Sequence, residues 1–133
     1  MKTNPILWLR ISYRAGAILD VIAGLVMVFP GLFAILNRPV DFQPGFDYHY
    51  AMGMGAPLMF GWTILLLWAD HKPLERKGIL PITLLVIAGE AATQIWGIAV
   101  GFVPFMPLIP TFVIQALLTS VFLFSYFKTR MIE

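Results

Sequence analysis

Apolar residues in this chain come in long runs, and polar residues are confined mostly to the gaps between them. A helix needs about 20 predominantly apolar residues to cross the hydrocarbon of a bilayer. Four stretches reach that length: Ala15 to Leu36, Ala51 to Ala69, Ile79 to Val103 and Leu108 to Phe127. The connectors NRPVDFQPGFDYHY, DHKPLERKG and PFMP are short, which predicts antiparallel neighbours. The pattern therefore predicts an all-α fold, with residues 1–133 forming one integral membrane antiparallel four-helix bundle.

Proline and glycine punctuate this outline. Pro30-Gly31 lies inside the first crossing and predicts a kink or an early helix end, because proline lacks the N–H and crowds the preceding turn. Pro104, Pro107 and Pro110 crowd the turn before the fourth crossing, and Pro110 suits that helix's first turn. The segment NPILWLR, residues 4–10, reads as a lead-in at the interface, with Trp8 at headgroup depth. Cleavage of the first crossing as a signal peptide is not expected. Its apolar run is too long, it carries Asp20, and no small-x-small site follows it.

Composition supports lipid as the solvent. The chain is 59% hydrophobic and 12% charged, with a mean hydropathy of +0.84. Ordinary soluble proteins use roughly 45–50% apolar residues, and a small soluble domain could not cover so much apolar surface. There are no cysteines, which excludes disulfides, thiolate metal sites and cysteine nucleophiles within the chain. The formal charge of +2 gives no reason to expect a nucleic-acid partner.

The placement of charge is more informative than its sum. With four crossings, both termini and the second connector share one side. That side holds Lys2, Arg10, Arg14, Lys72, Arg76, Lys77, Lys128 and Arg130; of the nine basic residues, only Arg38 falls on the other. The positive-inside rule then predicts cytoplasmic N and C termini. Phe42, Phe46, Tyr48, Tyr50, Phe102 and Phe105 mark the outer boundary, and Trp68 and Tyr126 the inner one, as an aromatic belt.

A few polar residues interrupt the apolar runs. Using a rise of about 1.5 Å per residue, Glu90 falls near the middle of the third crossing, with Gln94 and Gln115 roughly 4–5 Å further out. Thr63, Thr119 and Ser120 fall slightly inward of the centre, and Asp20 further inward. Glu90, Thr93 and Gln94 share a helix face by their spacing. A carboxyl at this depth costs about 2.5–3.5 kcal/mol on insertion scales, so Glu90 is expected to face other helices. The predicted arrangement is a buried polar layer centred on Glu90, with Gln94, Gln115, Asp20 and Thr63 as ligand-binding or proton-relay candidates. The alternative for each is plain helix glue.

Small residues form a second pattern. Gly89, Thr93, Gly97 and Gly101 recur every four residues in the third crossing, and Gly53, Gly55, Ala56 and Gly61 thin the second. Such stripes allow close helix approach, either within the bundle or at a seam between chains.

Known catalytic and cofactor patterns are missing. Asp41, Asp47 and His49 do not complete a metal set. No histidine falls inside a crossing, so a two-histidine haem is not expected. Met52, Met54 and Met59 read as apolar filler. There is no phosphate-binding loop, dinucleotide fingerprint or nucleophile elbow. No catalytic residue, metal or cofactor is assigned.

The stretch GAPLMFGWTILLLWADHKPLERKGIL, residues 55–80, resembles a segment of small four-helix membrane proteins of bacteria. The likeness rests on Gly61-Trp62-Thr63, Leu66, Trp68-Ala69-Asp70, Lys72-Pro73 and Glu75-Arg76. It implies four helices in a bacterial inner membrane and carries no catalytic residue. Three functions follow as expectations. The first is an accessory or interaction protein that associates with itself or with another membrane protein. The second is a proton-linked or small-ligand binding or transport protein acting as an oligomer. The third is an intramembrane enzyme on an apolar substrate, with Glu90 or Asp20 as general acid.

Overall fold

A computed structural model describes residues 4–131. These form five helices and no strand: α1 (Pro5–Val28), α2 (Pro30–Asn37), α3 (Phe46–His71), α4 (Ile79–Ala99) and α5 (Phe105–Arg130). Helices α1, α3, α4 and α5 are each long and apolar enough to cross a membrane. Only 17–28% of each apolar window is buried inside the chain, so most of that apolar surface faces outward. Ile35, Leu58, Ile64 and Leu85 are among the large side chains left uncovered. This is a multi-pass membrane architecture.

The first crossing is two helices. Pro30 disfavours the helical region for the residue before it, and Phe29 is extended at φ −111°, ψ 98°. The helix stops at Val28 and restarts at Pro30. At its other end α1 reaches further back than the apolar run suggested. Asn4 caps it, its side chain accepting from Ile6 N at 3.1 Å, and Pro5 takes the first helical position. The expected lead-in at residues 4–10 is thus the first two turns of α1, with Leu9 fully buried.

The second crossing, expected from Ala51 to Ala69, is longer at both ends, running from Phe46 to His71. Two other boundaries differ for clear local reasons. The third crossing ends at Ala99 rather than Val103, because Gly101 turns the chain at φ +76° and Phe102 N closes back on Gly97 O at 2.9 Å. α5 starts at Phe105 rather than Leu108, so Pro107 occupies the first turn and Pro110 lies inside the helix. At the same end of the molecule Val40 N donates to Phe102 O at 2.9 Å, joining the α2–α3 and α4–α5 connectors.

α1 is the central helix. It packs on both α3 and α5, and α4 packs on α5. Along the α1–α3 seam, Arg14 meets Asp70, Ala17 meets Thr63, Gly24 meets Phe60 and Gly55 meets Met27. Rising numbers on α1 therefore match falling numbers on α3. Leu9, Tyr13, Ala17, Leu66, Ala69, Leu80, Ile87 and Phe122 form one buried cluster. That cluster sits toward the end where the α3–α4 turn meets the first turns of α1, as Tyr13 Oη donates to Pro73 O at 3.0 Å. Most of the fully buried side chains lie toward that end.

Candidate functional site

The candidate polar residues lie just beyond this tight core. Asp20 follows Ala17 on α1 by three residues, so the two share a face; Ala17 is buried and Asp20 half-buried. The carboxyls of Asp20 and Glu90 are near enough to act on each other electrostatically. The Gln115 amide, from α5, approaches the Glu90 carboxyl. Asp20 lies on α1, Glu90 on α4 and Gln115 on α5. All three side chains are half-buried.

Several acceptor oxygens here are unpaired. Asp20 Oδ2, Gln94 Oε1 and Gln115 Oε1 are shielded from solvent yet have no hydrogen-bond partner among the described residues. A buried acceptor left unpaired costs about 1–3 kcal/mol. The group consequently favours a proton, a water or an outside donor.

Beside Gln115 a groove of about 490 Å³ opens between α4 and α5. Leu84, Ile87, Ala91 and Phe112 supply apolar walls, and Gln115, Thr119 and Ser120 the polar groups. Ser120 Oγ donates to Ala116 O at 2.8 Å within its own helix.

Thr63 lies in the α1–α3 seam, where its hydroxyl reaches Met59 O at 3.0 Å and Ala17 O at 3.4 Å. Its geometry is that of a helix fastener. Thr93 donates to Gly89 O at 3.0 Å on an uncovered face. Gly53, Gly61 and Gly89 have nothing within 4 Å of where a Cβ would stand. Gly97 is buried, but against Val103 of its own following turn. Gly101 belongs to that turn rather than to the helix. In the second stripe Gly55 does approach α1, a Cβ there standing 3.2 Å from Met27 Sδ, and Ala56 is buried, whereas Gly53, Gly61 and Gly89 meet no neighbouring helix.

The tightest approaches fall on glycines that the sequence pattern did not single out. A Cβ on Gly16 would stand 2.9 Å from Leu66 Cδ1 and 3.0 Å from Phe122 Cζ. One on Gly24 would stand 2.6 Å from the Phe60 ring. Sequence reading also missed several polar links: Ser12 to Ser125 at 2.8 Å, Trp62 Nε1 to Thr83 Oγ1 at 3.1 Å and Arg14 to Asp70 at 3.0 Å. Ser12 escaped because the first crossing was drawn from Ala15; Trp62 and Thr83 carry no local signal of their pairing.

Comparison with protein-family models, curated proteins and solved structures finds no match. The functional reading rests on the chain's own geometry.

Proposed function

We propose that this is a small integral membrane accessory or interaction protein with a polar layer centred on Glu90, working as a homo-oligomer or against another membrane protein. One observation carries the reading: Asp20 Oδ2, Gln94 Oε1 and Gln115 Oε1 are withdrawn from solvent without a donor, around half-buried carboxyls from two helices. Polar side chains at mid-membrane depth pair across helices, and a second chain is a natural source of the missing donors. The open small faces at Gly53, Gly61, Gly89 and Thr93 are compatible with a close helix from outside.

The same proposal places the four spanning helices antiparallel in a bacterial inner membrane, with both termini cytoplasmic. The basic residues of the α3–α4 turn and of the two chain ends support that orientation.

The test is the mass of the protein extracted in a mild detergent. A dimer or larger assembly is expected, falling to the monomer in Glu90→Leu with helix content retained. A wild-type monomer under gentle extraction, with no co-purifying membrane protein, would overturn the reading.

The groove between α4 and α5 favours a second reading, a proton-linked or small-ligand binding or transport protein that acts as an oligomer. There Glu90→Gln abolishes flux or binding and leaves the fold intact. Persistence of activity after that substitution would make the acid structural.

A further inference from the structure

The basic end of the bundle is a built surface. Tyr13 Oη holds Pro73 O at 3.0 Å. Arg14 Nε pairs with Asp70 Oδ2 at 3.0 Å, and Arg10 Nε stands 3.9 Å from Asp70 Oδ1. The Arg76 guanidinium lies 3.4 Å from the centroid of the Trp68 ring. These ties fasten the α3–α4 turn against the first turns of α1. Beside them lies a shallow cavity, open to the surface, of about 270 Å³, lined by Ile6, Arg10, Lys72, Pro73, Leu74 and Glu75.

The cavity is amphipathic. Ile6 and Arg10 stand four apart and so share a face of α1. On the turn, Lys72 and Glu75 supply charge while Pro73 and Leu74 supply apolar wall. Ile6 and Leu74 are both uncovered, at 37% and 44%. The neighbourhood is basic: Arg10, Arg14, Lys72, Arg76 and Lys77 stand against Asp70 and Glu75. The Lys72–Glu75 pair spans 3.0 Å, but its side chains are 57% and 67% exposed. Such exposed pairs are weakly held, so the ammonium can turn to a stronger anion.

We propose that this cavity binds the phosphate of an anionic phospholipid headgroup through Arg10 and Lys72, with Ile6, Pro73 and Leu74 against the glycerol and upper acyl chain. The position at the end of the spanning helices, beside Trp68, sets it at headgroup depth. Basic pockets between spanning helices recognise anionic headgroups in this way. A free anion would use the cations and gain nothing from the apolar walls.

Native mass spectrometry of the full chain, with phosphatidylglycerol or phosphatidylcholine added to the detergent, tests this. Phosphatidylglycerol adducts are expected to predominate. Arg10→Gln and Lys72→Gln should each reduce that preference about fivefold, the effect of one cation near an anionic surface. Glu75→Gln, which removes a carboxylate from the rim, should increase it. Lys128→Gln should leave it unchanged, because Lys128 lies over the Phe124 ring and does not line the cavity. Lys72 and Glu75 are exposed, so their variants decide the matter even if Arg10→Gln fails to fold. Equal retention of both lipids, an equal loss in Lys128→Gln, or displacement of the lipid by inorganic phosphate would overturn the proposal.

Discussion

The hydroxyls of Ser12 and Ser125 meet at 2.8 Å, both fully buried, and join α1 to α5 across 113 positions of chain. Both also reach Trp8 O, at 2.9 and 3.1 Å. Ser125 Oγ also reaches Val121 O at 2.7 Å, so its single proton has competing acceptors, while Ser12 can donate to Trp8 O or to Ser125. Ser125→Ala should lower unfolding stability in detergent by about 0.6 kcal/mol, and by at most roughly 1.7 kcal/mol, as for other interhelical bonds in membrane proteins. A double-mutant cycle with Ser12→Ala should return a coupling of the same size. Additive losses would show that the two hydroxyls act separately.

Two classes of glycine should respond in opposite directions. Gly24→Ala drives a methyl into the Phe60 ring, and Gly16→Ala meets Leu66 and Phe122. Each should cost about 1–3 kcal/mol by overpacking. Gly61→Ala meets open space and should be neutral to stabilising by up to about 1 kcal/mol, from helix propensity. Thermal unfolding of the three variants in one detergent checks this, and a drop in assembly mass for Gly61→Ala alone would place that face in a contact between chains.

The placing of Gln115 near Glu90 makes a non-additive prediction. Gln115→Leu removes the amide that approaches the carboxyl and should destabilise by about 0.6–1.7 kcal/mol. Adding Glu90→Leu should recover much of that loss, because replacing both partners by apolar groups costs little. The readout is unfolding in detergent; a further loss in the double variant would place other partners on the acid.

Asp70 holds two arginines at once, yet both are about half exposed while its own side chain is 14% exposed. Water screening limits such pairs, so Asp70→Asn should cost no more than about 1 kcal/mol. The difference from wild type should shrink as salt is raised. An effect independent of salt would assign the cost to packing instead.

The threading can be read directly, because the chain has no cysteine to give background. Glu75→Cys and Gln43→Cys place single thiols in the α3–α4 and α2–α3 connectors. A membrane-impermeant thiol reagent should reach the first only from the cytoplasmic face and the second only from the opposite face. Labelling of both from one side would contradict the proposed topology.

The spanning helices were legible because the requirement for about 20 apolar residues is local and one-dimensional. Pro30 was legible for the same reason: its effect on Phe29 acts through a single covalent neighbour. Gly101 was less so, since a glycine at a fourth position reads equally well as a packing residue or a helix stop. The positive φ that settles it appears only in the folded chain.

Hydrophobic pattern and charge placement thus determined that the chain is helical, that four helices suit a bilayer, and which connectors are basic. In a membrane chain every face of a spanning helix is apolar, so periodicity does not mark which face turns inward. That choice belonged to the tertiary structure, which put Gly16 and Gly24 at the seams and left Gly61 and Gly89 open. It also brought Trp62 beside Thr83 and Ser12 beside Ser125. Such pairings depend on the rotation and depth of whole helices against one another, which the packing of distant side chains decides.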